Sequence, residues 1–367
     1  MADFKDEISV TLATRLASEL TAAWPEFPRQ RFMRGLGSVL DPLSLMARVH
    51  VLADRLVGAL PDDFPTAAAV LWRALDSPTF TGWMTLPCGH FVARAGIEHP
   101  AVALPLLAGL TPRWSSEGAI RPFIERHPEV TYQHLHRWVS AADEHVRRLV
   151  SEGTRPRLPW APQLRQLMAD PTPNIELLER LVDDPSDYVR RSVANHLNDI
   201  SKDHRDLAIE VARGWLARGE RGAWVVRHGL RTLVKQGDAE ALRLLGVAPE
   251  APIRLRSLSV DRDVVAIGED VVLRFTLELD GAQDAEAIID YRVHYVGING
   301  RRAPKVFKLT RRRLVAGQPE PVTARHWFKH VSIRRIHPGR HTIDVQVNGC
   351  VLGAVDIQVV EGVPPPA

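Results

Sequence analysis

The chain has 367 residues, 45% of them hydrophobic and 25% charged, enough apolar material for two or three cored domains and too much for a peptide or a disordered tail. Its 47 basic and 44 acidic side chains leave a net charge of +3, with 17 Lys and Arg against 13 Asp and Glu from Ala251 onward. Global charge therefore announces no nucleic-acid binder, and only local clusters can carry such a reading. No run approaches the roughly 18 consecutive apolar residues of a membrane span, and the acidic start Met1-Ala-Asp-Phe-Lys-Asp-Glu lacks the basic region of a secretory leader. Cys88 and Cys350 match no metal spacing and imply no disulfide framework, so the expected setting is the reducing cytoplasm, away from membranes.

Up to about residue 248, apolar residues recur at helical spacing between Pro, Gly and Asp-Pro breaks. In Asp184-Pro-Ser-Asp-Tyr-Val-Arg-Arg-Ser-Val-Ala-Asn-His-Leu, the residues Val189, Val193 and Leu197 step by four along one face. Asp184 suits the N-cap of this helix and Pro185 its first turn. Upstream, Ile175, Leu178, Leu181 and Val182 form a second stripe, so the pair reads as a HEAT-like repeat. Related Val-Arg or Ile-Arg helices recur at Ile120, Val146, Val189 and Val226, at intervals of 26, 43 and 37 residues, irregular around the roughly 40 to 47 of such repeats. Stacked units of this kind share one core and form a solenoid.

The pattern changes after Gly246-Val-Ala-Pro-Glu-Ala-Pro. Val271-Val-Leu-Arg-Phe-Thr-Leu-Glu-Leu, Ile289-Asp-Tyr-Arg-Val-His-Tyr-Val and His341-Thr-Ile-Asp-Val-Gln-Val alternate and are rich in β-branched and aromatic residues. Turn signals at Asn299-Gly300 and Asn348-Gly349 separate such runs, and about seven short strands fit an immunoglobulin-like sandwich. The expected organisation is a multidomain α + β protein: an α-solenoid of HEAT-like repeats over 1–248, a linker at 249–252, an Ig-like β-sandwich over 252–362 and a tail at 363–367.

Chemistry concentrates late in the helical part. Ser116-Glu-Gly-Ala-Ile-Arg-Pro-Phe sets Glu117 near a helix start. His145-Val-Arg-Arg-Leu-Val-Ser-Glu-Gly-Thr-Arg-Pro-Arg-Leu-Pro-Trp sets Glu152 and Trp160 around a basic loop. Val189-Arg-Arg-Ser-Val-Ala-Asn-His-Leu-Asn-Asp-Ile-Ser-Lys-Asp-His leaves Asp199 at a helix end. These three segments, in this order, resemble the AlkC family of bacterial DNA alkylation-repair glycosylases, over most of residues 20–240, and the trailing β-domain resembles the Ig-like domain of one AlkC subgroup. Gly118 departs from the bulky residue expected in the family's Ser-Glu-Phe-Ala-Ile-Arg-Pro run.

The resemblance implies a monomeric enzyme that acts on double-stranded DNA carrying alkylated bases. It excises cationic bases, chiefly N3-methyladenine and N3-methylcytosine, by hydrolysis of the N-glycosidic bond without flipping the base, and needs no cofactor. A cationic base is already a good leaving group, so the protein works mainly on the sugar, where a fixed carboxylate stabilises oxocarbenium-like charge and aligns water. The matching positions nominate Glu117 and Asp199 near sugar and water, Glu152 in support, and Trp160 against the deoxyribose or base edge. Arg148, Arg155, Arg157, Arg190 and Arg191 are the candidate phosphate contacts of this part. In the β-domain the run Arg301, Arg302, Lys305, Lys308, Arg311, Arg312 and Arg313, followed by Lys329, Arg334 and Arg335, would extend the footprint.

Each nominee also has a plain structural explanation. Glu117 could pair with Arg121 at i,i+4, Asp199 could cap, Trp160 could anchor a core, and Glu152 could tether its loop through Arg155. The Val-Arg arginines could be ion-pair partners within the repeats, and Arg311 to Arg313 could be a solvated strand edge that blocks pairing. His90 in Pro87-Cys-Gly-His has no companions at metal spacing, and no nucleophile elbow or Gly-rich phosphate loop is present. The competing readings are a non-catalytic HEAT-like repeat protein that binds unusual DNA structures, and a protein-interaction scaffold.

Overall fold

The computed structural model describes residues 4–297, 300, 302–331 and 334–362. Arg301, the Asn299 of the expected turn and the tail from Val363 lie outside these residues. The chain divides into two compact units, Met1–Gly229 and Leu230–Ala367.

The first unit is helical. Its longer helices pack on counterparts further along the chain: Leu45–Val57 on Thr85–Ala95, Phe64–Ala74 on Pro100–Leu110, Glu144–Gly153 on Asp187–Ile200, and the last of these on Gly219–Gly229. Each such helix buries one apolar stripe that no single helix can cover, so the layers share one core. Val189, Val193 and Leu197 lie fully inside, as their spacing requires. The start of that helix differs from the sequence expectation. Ser186 is the N-cap residue, Pro185 precedes the helix, and the Asp184 carboxylate accepts from the Ser186 N–H at 2.8 Å. Asp184 is held there by a second claim, a forked pair with Arg147 (Nε to Oδ2 2.7 Å, Nη2 to Oδ1 3.0 Å). Arg147 thus ties one Val-Arg helix to the approach of the next, as the ion-pair explanation of these arginines requires.

The second unit holds eight strands among the described residues: β1 (Ile253–Val260), β2 (Val264–Ala266), β3 (Asp270–Leu279), β4 (Ala285–Val296), β5 (Arg302–Leu314), β6 (Pro319–Trp327), β7 (Gly339–Val347) and β8 (Cys350–Val360). They form a three-stranded sheet, β1-β3-β6, and a five-stranded sheet, β2-β8-β7-β4-β5, with β2 parallel to β8 and the other pairs antiparallel. Alternation fills the space between the sheets: Val271, Leu273, Phe275 and Leu277 from β3 meet Ala287, Ile289, Val293 and Tyr295 from β4. The unit also takes in the short helices Arg231–Lys235 and Ala239–Leu244, which the expected boundary at 248 had left in the solenoid. Polar side chains of the sheet hold that segment: Gln346 donates to the Lys235 carbonyl at 2.8 Å, Asn348 to that of Ala248 at 3.2 Å and Arg311 to that of Leu245 at 3.0 Å.

Both cysteines are unpaired, and no helix among the described residues is long and apolar enough to cross a membrane. Each unit contains a histidine that burial holds neutral. His196 in the helical unit and His326 in the sandwich both have pKa values pushed down to about 4, mainly by desolvation. An unfolded histidine takes up its proton near pH 6.5, whereas these folded ones resist until about 4. Stability should therefore be complete above about pH 6.5 and decline as the pH falls toward 4. Urea midpoints of both units at pH 7.5 and 5 check this, and equal midpoints at the two values would contradict it.

Candidate active site

Glu117 stands in the turn before the helix Arg121–Arg126. Ser116 Oγ anchors that turn by donating to the Leu107 carbonyl at 2.8 Å, and Ser115 Oγ donates to Glu117 Oε2 at 2.6 Å. The carboxylate opens into a cleft of about 250 Å³ whose lining includes Trp83, Trp114, Trp160 and Tyr188, with His90 and Gly118. Trp83 and Trp114 lie 4.8 Å apart, and Phe4 stands edge-on to Trp160 at 6.1 Å. A carboxylate among aromatic faces suits a transient cation, which both attract.

Behind Glu117 runs a chain of alternating charge. Arg148 Nη1 donates to Glu117 Oε2 at 2.6 Å and its Nη2 lies 3.6 Å from Glu152 Oε1, while its guanidinium covers the Tyr188 ring at 4.6 Å. Arg155 then bridges Glu152 Oε1 at 2.6 Å and Asp199 Oδ2 at 2.9 Å, and Lys202 Nζ closes the chain on Asp199 Oδ1 at 2.8 Å. Ser192 Oγ donates to the other Glu152 oxygen at 2.6 Å. The Asp199 side chain is only 2% exposed and Glu152 only 7%. Burial alone drags the Arg155 guanidinium toward neutrality, but Glu152 and Asp199 outweigh it and lift its pKa above the usual arginine value. Charges buried at this depth persist only when paired and hydrogen-bonded.

Trp160 is brought to the cleft by a loop, not by a core. Its side chain is 61% exposed and its φ is +60°, a left-handed torsion that costs a bulky residue on the order of 1–3 kcal/mol. What holds the loop is Arg121, which pairs with no carboxylate among the described residues. It is buried, its pKa is pushed down to about 10 chiefly by desolvation, and it donates to the carbonyls of Gly153 (3.1 Å), Arg155 (2.7 Å) and Pro162 (2.6 Å). The i,i+4 pair with Glu117 is therefore not formed. Arg121→Met would strand those carbonyls at about 1–3 kcal/mol each when buried. Limited proteolysis of the variant is expected to cut within 155–162, where the parent resists; an unchanged digest would reject this anchoring role.

The other sequence candidates divide. Glu117, Arg148 and Trp160 share the cleft, whereas Glu152 and Asp199 lie behind it and reach it through Arg148 and Arg155. Among the described residues the Asp199 carboxylate caps no helix and accepts from the side-chain cations Arg155 and Lys202 alone. Of the arginines expected at phosphate, Arg148, Arg155, Arg157, Arg190 and Arg311 to Arg313 are engaged by carboxylates in this structure. Arg148, at the wall of the cleft, and Arg155, behind it, are engaged by carboxylates, and Arg190 is buried against Asp187 and the Asp184 carbonyl. Arg157 forks onto Asp203, with Nη2 to Oδ1 at 2.8 Å, while Arg191 is exposed. In the sandwich, Arg311, Arg312 and Arg313 lie on the edge strand β5 and pair with Glu286, Glu320 and Asp284, the pattern of a solvated edge. Lys305 and Arg334 lie over the Phe307 and Tyr295 rings. Sequence reasoning passed over Tyr188, Trp83 and the anchoring role of Arg121; the one available signal was Arg121's place within the matched Ser116–Phe123 run.

The fold and this cleft define a two-unit protein in which a helical body with an acid–arginine core precedes an Ig-like sandwich. Residues 254–361 match the family model described as the C-terminal Ig-like domain of the uncharacterised protein YhaZ. The uncharacterized protein YhaZ of Bacillus subtilis (strain 168) is 34% identical over 360 residues, covering 98% of this chain and all of that one. The Pseudomonas fluorescens alkylpurine DNA glycosylase AlkC, solved bound to DNA containing an abasic site analog, superposes with a TM-score of 0.92 at 35% identity, over 98% of this chain and all of that one. The chain belongs to the AlkC family, in its form with a C-terminal Ig-like domain.

Proposed function

We propose that the protein is a DNA glycosylase that releases cationic alkylated bases, N3-methyladenine and N3-methylcytosine, from duplex DNA by hydrolysing the N-glycosidic bond. The observation that carries this reading is the Glu117 carboxylate standing in an aromatic cleft on a chain similar from end to end to a glycosylase solved on abasic-site DNA. As the bond breaks, positive charge passes from the base to the deoxyribose. Glu117 stabilises that charge and takes a proton from the attacking water, and Trp160 packs against the sugar. Glu152 and Asp199 act from behind, by fixing Arg148 and through it Glu117. The lesion stays in the duplex, the enzyme works as a cytoplasmic monomer, and no cofactor takes part. Arg191 meets phosphate directly; Arg157 and Arg311 to Arg313 do so by exchanging their carboxylates for phosphate oxygens.

Single-turnover release of N3-methyladenine from methylated duplex DNA, for the parent and Asp199→Asn, tests the reading. Release by the parent and its loss in the variant is the expected result. No release, with salt-sensitive DNA binding retained, would instead favour a binder of unusual DNA structures.

A further inference from the structure

His90 lies one helical turn beyond Leu86 on the helix Thr85–Ala95, and both line the cleft with Met46 of the packed helix Leu45–Val57. The His50 ring stands edge-on to it at 5.1 Å. Neither ring nitrogen of His90 has a hydrogen-bond partner among the described residues, although the side chain is largely enclosed. Burial and the neighbouring His50 push its pKa down to about 4, so near neutral pH it is an uncharged imidazole with one donor and one acceptor nitrogen.

The way from cleft to imidazole is open because residue 118 is glycine. A Cβ built there would lie 3.8 Å from His90 Nε2 and 3.9 Å from His90 Cε1, both ordinary contacts, and would meet no other described residue within 4 Å. Gly118 is not among the positive-φ residues, so neither its backbone torsion nor steric crowding requires glycine. Its effect is to leave a gap beside Glu117, whose side chain lines the same cleft. One Glu117 oxygen is already engaged by Arg148 and Ser115, which leaves Oε1 for a ligand.

We infer that the Gly118 gap holds the attacking water between Glu117 and His90, which makes His90 a positioning residue for hydrolysis. The inference rests on the glycosylase reading above. A water in a small polar cavity needs two to four partners, and Glu117 and His90 supply two of them. In the step, the C1′–N bond breaks with its electron pair passing to the base nitrogen, the water oxygen bonds to C1′, and the water's proton goes to Glu117. His90 accepts a hydrogen bond from the other O–H and neither gains nor loses a proton. An uncharged imidazole fits this task, because a cation would repel both the alkylated base and the developing sugar charge.

Three variants of the full chain test the inference in single-turnover release of N3-methyladenine, with DNA affinity measured alongside. His90→Ala is expected to slow release by about 10- to 100-fold, below the span usual for a group that itself transfers the proton, with affinity unchanged. His90→Gln, whose amide can still accept a hydrogen bond, should recover much of that rate. Gly118→Phe, which keeps His90 but covers it, should match the His90→Ala loss, and the double variant should be no slower than either single one. Gly118→Phe also serves where His90→Ala fails to fold. An active parent with unchanged rates in His90→Ala or Gly118→Phe, or losses that multiply in the double variant, overturns the inference and leaves the glycosylase reading standing. A parent that releases no base removes both.

Discussion

Glu117→Gln is expected to slow base release by about 10²- to 10⁴-fold while DNA affinity is kept or improved. The amide can still accept from Arg148 and Ser115, so the turn at 115–117 stays in place and only the charge is lost. Electrostatics then sets the sign of the binding change, since neutralising Glu117 leaves its chain of paired charges with one uncompensated positive charge, which attracts phosphate. Rates under single turnover, read beside the dissociation constant for uncleaved DNA, separate the two effects. Should release proceed at the parent's rate, Glu117 is not the group that meets the sugar.

The second large effect is on stability. Arg155→Met removes the one cation that serves both Glu152 and Asp199 and leaves two nearly buried carboxylates with weaker partners. Breaking a buried pair by deleting one member typically costs about 3–5 kcal/mol, because the orphaned charge keeps its desolvation penalty. Asp199 retains Lys202 and Glu152 retains Ser192, so the loss should fall at the lower end of that span. Urea unfolding of the helical unit checks it, with Arg155→Lys as a milder comparison. A midpoint within error of the parent's would mean that water reaches this chain of charges and that it is not an interior feature.

The sequence disclosed more of the acids than of the bases. Glu117, Glu152 and Asp199 sit in motifs whose order carried the resemblance, and all three join one connected set. The partners of the arginines between them were not legible for a physical reason: a guanidinium has the same local sequence pattern whether it turns to solvent or to a carboxylate. Arg155 and Asp199 are 44 residues apart, and only the packing of Glu144–Gly153 on Asp187–Ile200 makes them neighbours. Trp160 was legible as a residue but not as a conformation, because a left-handed torsion runs against the preference of every bulky side chain. Gly118 was visible as a departure from the family pattern, yet its consequence depends on His90, which comes from a different helix. The sandwich was readable from alternation, whereas the edge position of β5 was not, since strand order is set by pairings between distant segments.

Counted end to end, Glu117, Arg148, Glu152, Arg155, Asp199 and Lys202 carry three negative and three positive charges. Such a string has no monopole. Its potential decays faster with distance than that of a lone anion, so a phosphate several ångströms from the cleft feels little net repulsion from three acids. A sugar in contact with Glu117 meets the terminal negative charge at close range, before the rest of the string can cancel it. The same alternation that lets carboxylates lie in a protein interior thus makes them nearly invisible to an approaching polyanion, and confines their influence to whatever touches the last one.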